Sequence, residues 1–210
     1  GFLWQLNDYL SAAVMVFFVL SGYVIAYVSD VKEKRAKQYL IARISRFSSV
    51  AIPALLLTAI LDSIGSSINY ELYYEGPWPQ PQNEITNYLL SVLFIQNIWG
   101  LNLNPGINVP FWSLSFECGF YLLCAAWIFS SGVKRNLIII GLCLFFGPNI
   151  ITYLPIWLMG VMIYFAHKRI IEGNSLVGLV LFTTSGLTLT FLVPMIKESI
   201  NYTPPFFLGN

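Results

Sequence analysis

The sequence predicts an all-α membrane protein, a polytopic bundle of transmembrane helices. Its 210 residues are 57% hydrophobic and only 10% charged, whereas a soluble domain is about 25% charged. A soluble fold of this size would lack the polar residues to cover its surface. The apolar runs are long and do not alternate with polar residues, which indicates helices. The net charge of +1 gives no basis for expecting a nucleic-acid partner.

Six apolar runs approach the roughly 20 residues that a spanning helix needs. A seventh segment, 86–99, would be only about 21 Å long as a helix, so we expect a re-entrant or interfacial helix there. The fourth and fifth runs are short, and we expect them to form a tight hairpin that breaks between Pro148 and Pro155. The six predicted spans are about 10–29, 47–66, 111–131, 137–151, 153–166 and 175–195.

The basic residues predict how these helices are oriented. Ten of the eleven lysines and arginines fall in 30–46, 134–135 and 168–169, and short loops rich in these residues stay in the cytoplasm. Segment 70–85 carries three glutamates and no basic residue. We therefore expect segment 70–85 to face outside.

Glu117 is a carboxylate inside an apolar run, FWSLSFECGFY. A charge at that depth costs a few kcal/mol unless it is paired or faces a watery cavity. Ser113, Glu117 and Tyr121 recur every four residues and share one helix face. This pattern predicts a polar stripe turned inward, with Glu117 as a functional carboxylate and Ser113 and Tyr121 as candidates for lining a substrate cavity. The alternative is an interhelical hydrogen-bond pin.

Arg43 and Arg46 are three residues apart and would share a helix face. They fit either a positive-inside anchor or a phosphate clamp, since guanidinium groups pair well with phosphate oxygens. Ser21 and Gly22 lie in the middle of the first span, where small residues favour close helix packing, and Ser21 is also a candidate for lining the substrate. The sequence holds no cluster with metal-ligand spacing, and no metal is expected.

Three stretches together resemble the membrane acyltransferase-3 family of bacterial integral-membrane O-acyltransferases. FFVLSGYVIAY (17–27) is similar to the family's FF-x-x-SG-[FY] segment, and ARISRF (42–47) is similar to its RxxR motif. FWSLSFECGFYLL (111–123) resembles its WSL-x-x-E-x-x-FY signature. Their order and spacing agree with the family over residues 10–125.

The resemblance implies a multi-pass protein of the bacterial inner membrane that transfers an acyl group, often acetyl. The donor would be cytoplasmic acyl-CoA, and the acceptor a hydroxyl of an envelope or exported glycan or of a lipid-linked sugar. No permanently bound cofactor is implied. Carried over by position, Arg43 and Arg46 would contact the donor phosphates. Glu117 would be the signature carboxylate, which either orients the catalytic histidine or positions the acceptor.

One feature of the family has no counterpart in this sequence. The family's catalytic histidine belongs to its first helix, in an R-x10-H arrangement, and His167 does not match it in position or side. We therefore expect residues 1–210 to be a single membrane-embedded domain that is truncated at both ends, lacks the first helix and is inactive alone. The alternatives are a transporter or flippase for a small molecule or glycan, and a non-catalytic sensor or scaffold.

Overall fold

The computed structural model describes residues 2–71 and 84–170, and within these ranges the regular structure is entirely helical. Within the described ranges, turns and single 3-10 turns, such as Ile98–Gly100 and Val109–Phe111, occur between the helices. The α-helices with described bounds are α1 (Phe2–Val31), α2 (Ala36–Ile68), α3 (Glu84–Val92), α4 (Trp112–Phe129), α5 (Gly132–Phe146) and α6 (Pro148–Ile170).

Four helices among the described residues are long and apolar enough to cross a membrane, which makes the chain a multi-pass helical protein. They cover Ala13–Val31, Ala36–Ile68, Val109–Phe129 and Pro148–Arg169. The predicted span 137–151 corresponds to α5, whose 15 residues make a helix of about 22 Å, shorter than the hydrocarbon core. The predicted span 175–195 lies outside the described residues. The count of six spans is therefore not confirmed.

Helix α2 begins eleven residues before the predicted span at 47, so the expected loop at 36–46 is wrong. Its 33 residues make a rod of about 50 Å. Lysine, arginine and glutamine lower the hydropathy of its first turns but are good helix formers. One buried stripe runs along its length at helical spacing, formed by Tyr39, Arg43, Phe47, Ala51, Leu55 and Thr58.

The hairpin between α5 and α6 breaks earlier than predicted. Gly147 has a φ of +81°, a conformation that favours glycine, and it ends α5. Pro148 then begins α6, where a proline costs no hydrogen bond because the first helical N–H groups have no partner within the helix. Pro155 lies inside α6, so the prediction that the two runs separate between Pro148 and Pro155 is wrong.

The segment before α4 is a short helix with an anchored loop. Helix α3 has nine residues and is about 13 Å long, too short to cross the bilayer. Three buried side-chain amides hold the loop through backbone carbonyls: Asn87 donates to Asn104 at 3.1 Å, Gln96 to Phe111 at 3.2 Å and Asn97 to Trp112 at 3.3 Å. Whether α3 lies at the membrane surface or re-enters the membrane stays a prediction.

Helices α1 and α6 pack closely because glycines lie at their crossing. A methyl group on Gly22 would lie 2.1 Å from the carbonyl oxygen of Trp157, and one on Gly160 would lie 1.9 Å from the carbonyl oxygen of Val19. Small residues at such crossings let helix backbones approach, which is the main way that membrane helices gain packing energy. Nearer the last turn of α6, Tyr164 and Lys168 both donate to Asp30 of α1.

An aromatic cluster fills the space between α1, α4 and α6. Phe18, Phe116, Phe120 and Trp157 are buried, and their rings meet in edge-on, stacked and tilted pairs with centroids 5.4–6.5 Å apart. Such pairs add about 0.5–1.5 kcal/mol each beyond their buried area. This cluster fixes the register of α1 against α4 and so determines which polar side chains of the two helices meet.

Candidate active site

Three polar side chains meet in the middle of the helical core. Ser21 Oγ donates to Glu117 Oε1 at 2.5 Å, and Tyr121 Oη donates to the same carboxylate oxygen at 2.7 Å. Ser21 Oγ and Tyr121 Oη lie 3.0 Å apart. Each of the three residues is 2–4% exposed. The structure thus brings together Ser21 of α1 with Glu117 and Tyr121 of α4, one helical turn apart.

Two further residues surround this hydroxyl–carboxylate cluster. Trp157 of α6 points its indole Nε1 at Ser21 Oγ, 3.4 Å away. Tyr39 of α2 donates to the backbone carbonyl of Tyr121 at 3.1 Å. The cluster is therefore held by four helices, α1, α2, α4 and α6. Removing one partner from a buried polar group raises the free energy of the folded state. We therefore infer that this arrangement is rigid.

A buried ion pair lies beside the cluster. Arg43 Nη2 donates to Glu33 Oε1 at 2.6 Å, and both side chains are under 10% exposed. Glu33 comes from the turn between α1 and α2. The guanidinium also lies near two aromatic rings, with its Cζ 5.1 Å from the ring centre of Tyr39 and 5.8 Å from that of Tyr121. Aromatic faces stabilise a cation at such distances.

Tyr121 connects the two groups. Its ring lies beside the guanidinium of Arg43, and its hydroxyl binds the carboxylate of Glu117. A cation and a carboxylate are thus buried in one core with a single aromatic side chain between them. Buried charges are costly unless they are paired or hydrogen-bonded. A core that holds two buried charges on either side of one side chain is typical of a functional site.

The buried cluster does not include Arg46, Ser113 or His167. Arg46 is exposed, although it is only three residues from Arg43, because Arg43 lies on the buried stripe of α2 and Arg46 beside it. Ser113 Oγ donates to the carbonyl of Pro110 at 3.1 Å, which satisfies this hydroxyl at the start of α4. His167 stacks edge-on with Tyr23, their rings 6.2 Å apart. Among the described residues, no three His, Cys, Asp or Glu side chains form a possible metal site.

The family was established by comparison with known proteins. A family model for an acyltransferase domain, Acyl_transf_3, matches residues 3–209. The chain belongs to the acyltransferase-3 family. The comparisons with curated proteins and with solved structures found no match. The resemblance seen in the three sequence stretches is thereby confirmed, and the match extends well beyond residue 125.

Within this acyltransferase-3 domain, the three family-like stretches fold against one another. Ser21 comes from the first stretch, Arg43 from the second, and Glu117 and Tyr121 from the third. Sequence reasoning missed three residues of the same core: Glu33, Tyr39 and Trp157. The sequence does indicate Tyr39, because it lies one helical turn before Arg43 and therefore shares its helix face. Glu33 stands within a run of lysines and arginines, VKEKRAK, and that run resembles a solvated loop.

Proposed function

We propose that this protein is a membrane O-acyltransferase of the inner membrane. It moves an acyl group, acetyl in the simplest case, from cytoplasmic acyl-CoA to a hydroxyl of an envelope or exported glycan. One observation carries the proposal beyond the family assignment: Arg43 and Glu117 both contact Tyr121. A residue suited to the donor's phosphates and a residue suited to the acceptor's hydroxyl therefore lie on two sides of one aromatic side chain.

Arg43 and Arg46 form the donor side of the proposed site. Acyl-CoA carries a diphosphate and a ribose phosphate, and guanidinium groups bind phosphate oxygens through paired hydrogen bonds. The basic side chains of Lys32, Lys34 and Arg35 are exposed around the same turn. Positive charge on this side would attract the anionic donor. The acyl thioester then extends into the core toward Tyr121.

Glu117 forms the acceptor side. In the transfer, the acceptor oxygen attacks the thioester carbonyl and loses its proton, while the sulfur of CoA leaves and gains one. The carboxylate of Glu117 either holds the acceptor hydroxyl or orients the histidine that the family places in its first helix. Ser21 and Tyr121 keep this carboxylate in one position through their hydrogen bonds, which lowers the cost of reaching the reactive geometry.

The transporter or flippase alternative makes a different prediction in cells. An acyltransferase adds a defined mass to an envelope glycan, and this mass disappears when the gene is deleted. A transporter changes the location of a glycan without changing its mass. Mass spectrometry of envelope glycans from cells with the gene intact, deleted and restored distinguishes the two. Identical glycan masses in all three strains would rule out the proposed acyl transfer.

Replacing the arginine pair tests the donor side. In the complete protein, we expect Arg43→Ala with Arg46→Ala to weaken acetyl-CoA binding by about 30-fold or more, because a charged hydrogen-bond partner is lost. Arg43→Ala alone should account for most of the loss, since Arg46 is exposed. Titration of labelled acetyl-CoA measures both effects. The matched control is Lys37→Ala, which removes an exposed cation from the same helix. If all variants bind acetyl-CoA equally well, the arginine pair serves only as a topological anchor.

Removing one hydroxyl tests the acceptor side. Tyr121→Phe keeps the ring beside Arg43 but deletes the 2.7 Å hydrogen bond to Glu117. A hydrogen bond to a charged group contributes about 1.5–3 kcal/mol. We therefore expect kcat to fall by about 10- to 100-fold with little change in the KM for acetyl-CoA. If the KM for acetyl-CoA rises while kcat is unchanged, Tyr121 contributes to donor binding and not to the positioning of the Glu117 carboxylate.

A further inference from the structure

We propose that Glu33 is a resident anion in the donor site, which occupies the place of a donor phosphate until acyl-CoA binds. This inference rests on the proposed function, because it takes Arg43 to be a donor-binding residue. Glu33 lies outside the family-like stretches. Its carboxylate competes with a phosphate group of coenzyme A.

Glu33 points inward from a turn whose basic side chains point outward. In the connection between α1 and α2, the basic side chains of Lys32, Lys34 and Arg35 are exposed, and Glu33 alone turns inward, at 6% exposure. Its carboxylate reaches Arg43, ten residues further along the chain. Removing a carboxylate from water has a high cost. The burial of Glu33 still stabilises the fold, because a buried guanidinium without an anion would cost more free energy.

The incomplete geometry of the pair is the second support. Only one hydrogen bond joins the two groups, from Arg43 Nη2 to Glu33 Oε1. Arg43 Nε and Glu33 Oε2 are both buried and have no hydrogen-bond partner. A well-matched arginine–carboxylate pair is bidentate and uses two parallel N–H donors. The guanidinium therefore keeps a free donor, Nε–H, adjacent to the one that Glu33 occupies.

A phosphate group would satisfy that free donor. Every phosphate group of coenzyme A offers at least two non-bridging oxygens, so it can bind Nε–H and Nη2–H together, and the ribose phosphate also carries more negative charge than a carboxylate. The displaced carboxylate of Glu33 would turn outward among the exposed cations Lys32, Lys34 and Arg35. Because Glu33 lies in a short turn between two helices, this exchange needs no helix to move. Donor binding thus replaces one hydrogen bond to the guanidinium with two.

Coenzyme A binding to the complete protein tests the inference. Glu33→Gln keeps the shape of the side chain but removes its charge, so we expect coenzyme A to bind roughly 3- to 10-fold more tightly. The ligand-free variant should unfold at a lower temperature, because Arg43 has lost its anion, and should gain more stability from coenzyme A than the wild type does. Asp30→Asn controls for net charge: Asp30 adjoins the same turn but pairs with Lys168, and this variant should bind as the wild type does.

The outcomes separate the two proposals. If Glu33→Gln binds coenzyme A as weakly as Arg43→Ala, or with unchanged affinity while Arg43→Ala is weakened, Glu33 is not a competitor and this inference is wrong. In either case the donor site itself stands. If Arg43→Ala binds coenzyme A as the wild type does, the donor site of the proposed function is wrong. Tighter binding by Asp30→Asn as well would show a general charge effect and would also overturn the inference.

Discussion

Glu117→Gln in the complete protein is expected to reduce acyl transfer by at least about 100-fold, because acid–base catalysis usually contributes that much and Glu117 holds either the acceptor hydroxyl or the histidine in position. The amide keeps the size of the side chain, so packing against the aromatic cluster should survive. It removes the negative charge that accepts hydrogen bonds from Ser21 and Tyr121. The measurement is acyl transfer from labelled acetyl-CoA, alongside the amount of protein inserted in the membrane.

A second glutamate supplies the matched control for Glu117. Glu71 is exposed just beyond the end of α2, and Glu71→Gln makes the same chemical change there. We expect this control to keep wild-type activity and insertion. Acetyl-CoA binding by Glu117→Gln should also be close to normal, because its role lies in the transfer step. Full activity of Glu117→Gln would make the residue a structural pin, the alternative that its position in an apolar run leaves open.

Gly22→Ala and Gly160→Ala are expected to cause the largest losses of stability. Each added methyl group would lie about 2 Å from a backbone carbonyl oxygen of the facing helix, and a backbone atom cannot move aside as a side chain can. Overpacking typically costs about 1–3 kcal/mol and more where the backbone must shift. We expect the unfolding temperature to fall by about 5–10 °C in each variant, as followed by tryptophan fluorescence in detergent.

Gly141→Ala separates this packing effect from a general effect of removing a helical glycine. Gly141 lies inside α5, and among the described residues no atom beyond its chain neighbours and its own helix backbone comes within 4 Å of the position of an added methyl group. Alanine is the better helix former by about 1 kcal/mol. The control should therefore unfold at the same temperature as the wild type or slightly higher. Equal behaviour of all three variants would contradict the close crossing of α1 and α6.

The helical class and most of the helix positions follow from composition and long apolar runs, because a membrane interior admits few other structures. The ends of helices were harder to predict. The basic first turns of α2 have low hydropathy but good helix propensity, so a hydropathy pattern places its start too late. The break at Gly147 depends on a backbone angle, and a proline pair within an apolar run does not reveal which proline begins a helix.

The residues of the candidate site are only partly predictable, because a local pattern does not show how distant helices pack against each other. Helical spacing places Glu117 and Tyr121 on one face, and the structure brings Ser21 to them from another helix. Spacing also placed Ser113 on that face, yet its hydroxyl binds a carbonyl at the start of α4. Contacts between distant segments, such as Trp157 with Ser21, depend on how helices cross. The inward turn of Glu33 depends on the burial of Arg43, which a local pattern does not encode.

The central claim is that a donor bound beside Arg43 and an acceptor held beside Glu117 meet within one helical core from opposite sides of the membrane. The most direct measurement uses the complete protein in vesicles of known orientation, with labelled acetyl-CoA on one side and a glycan acceptor on the other. We expect labelled glycan only when acetyl-CoA is on the side that carries Lys134 and Lys168. Transfer at equal rates from both sides, or no transfer in either arrangement, would contradict the account.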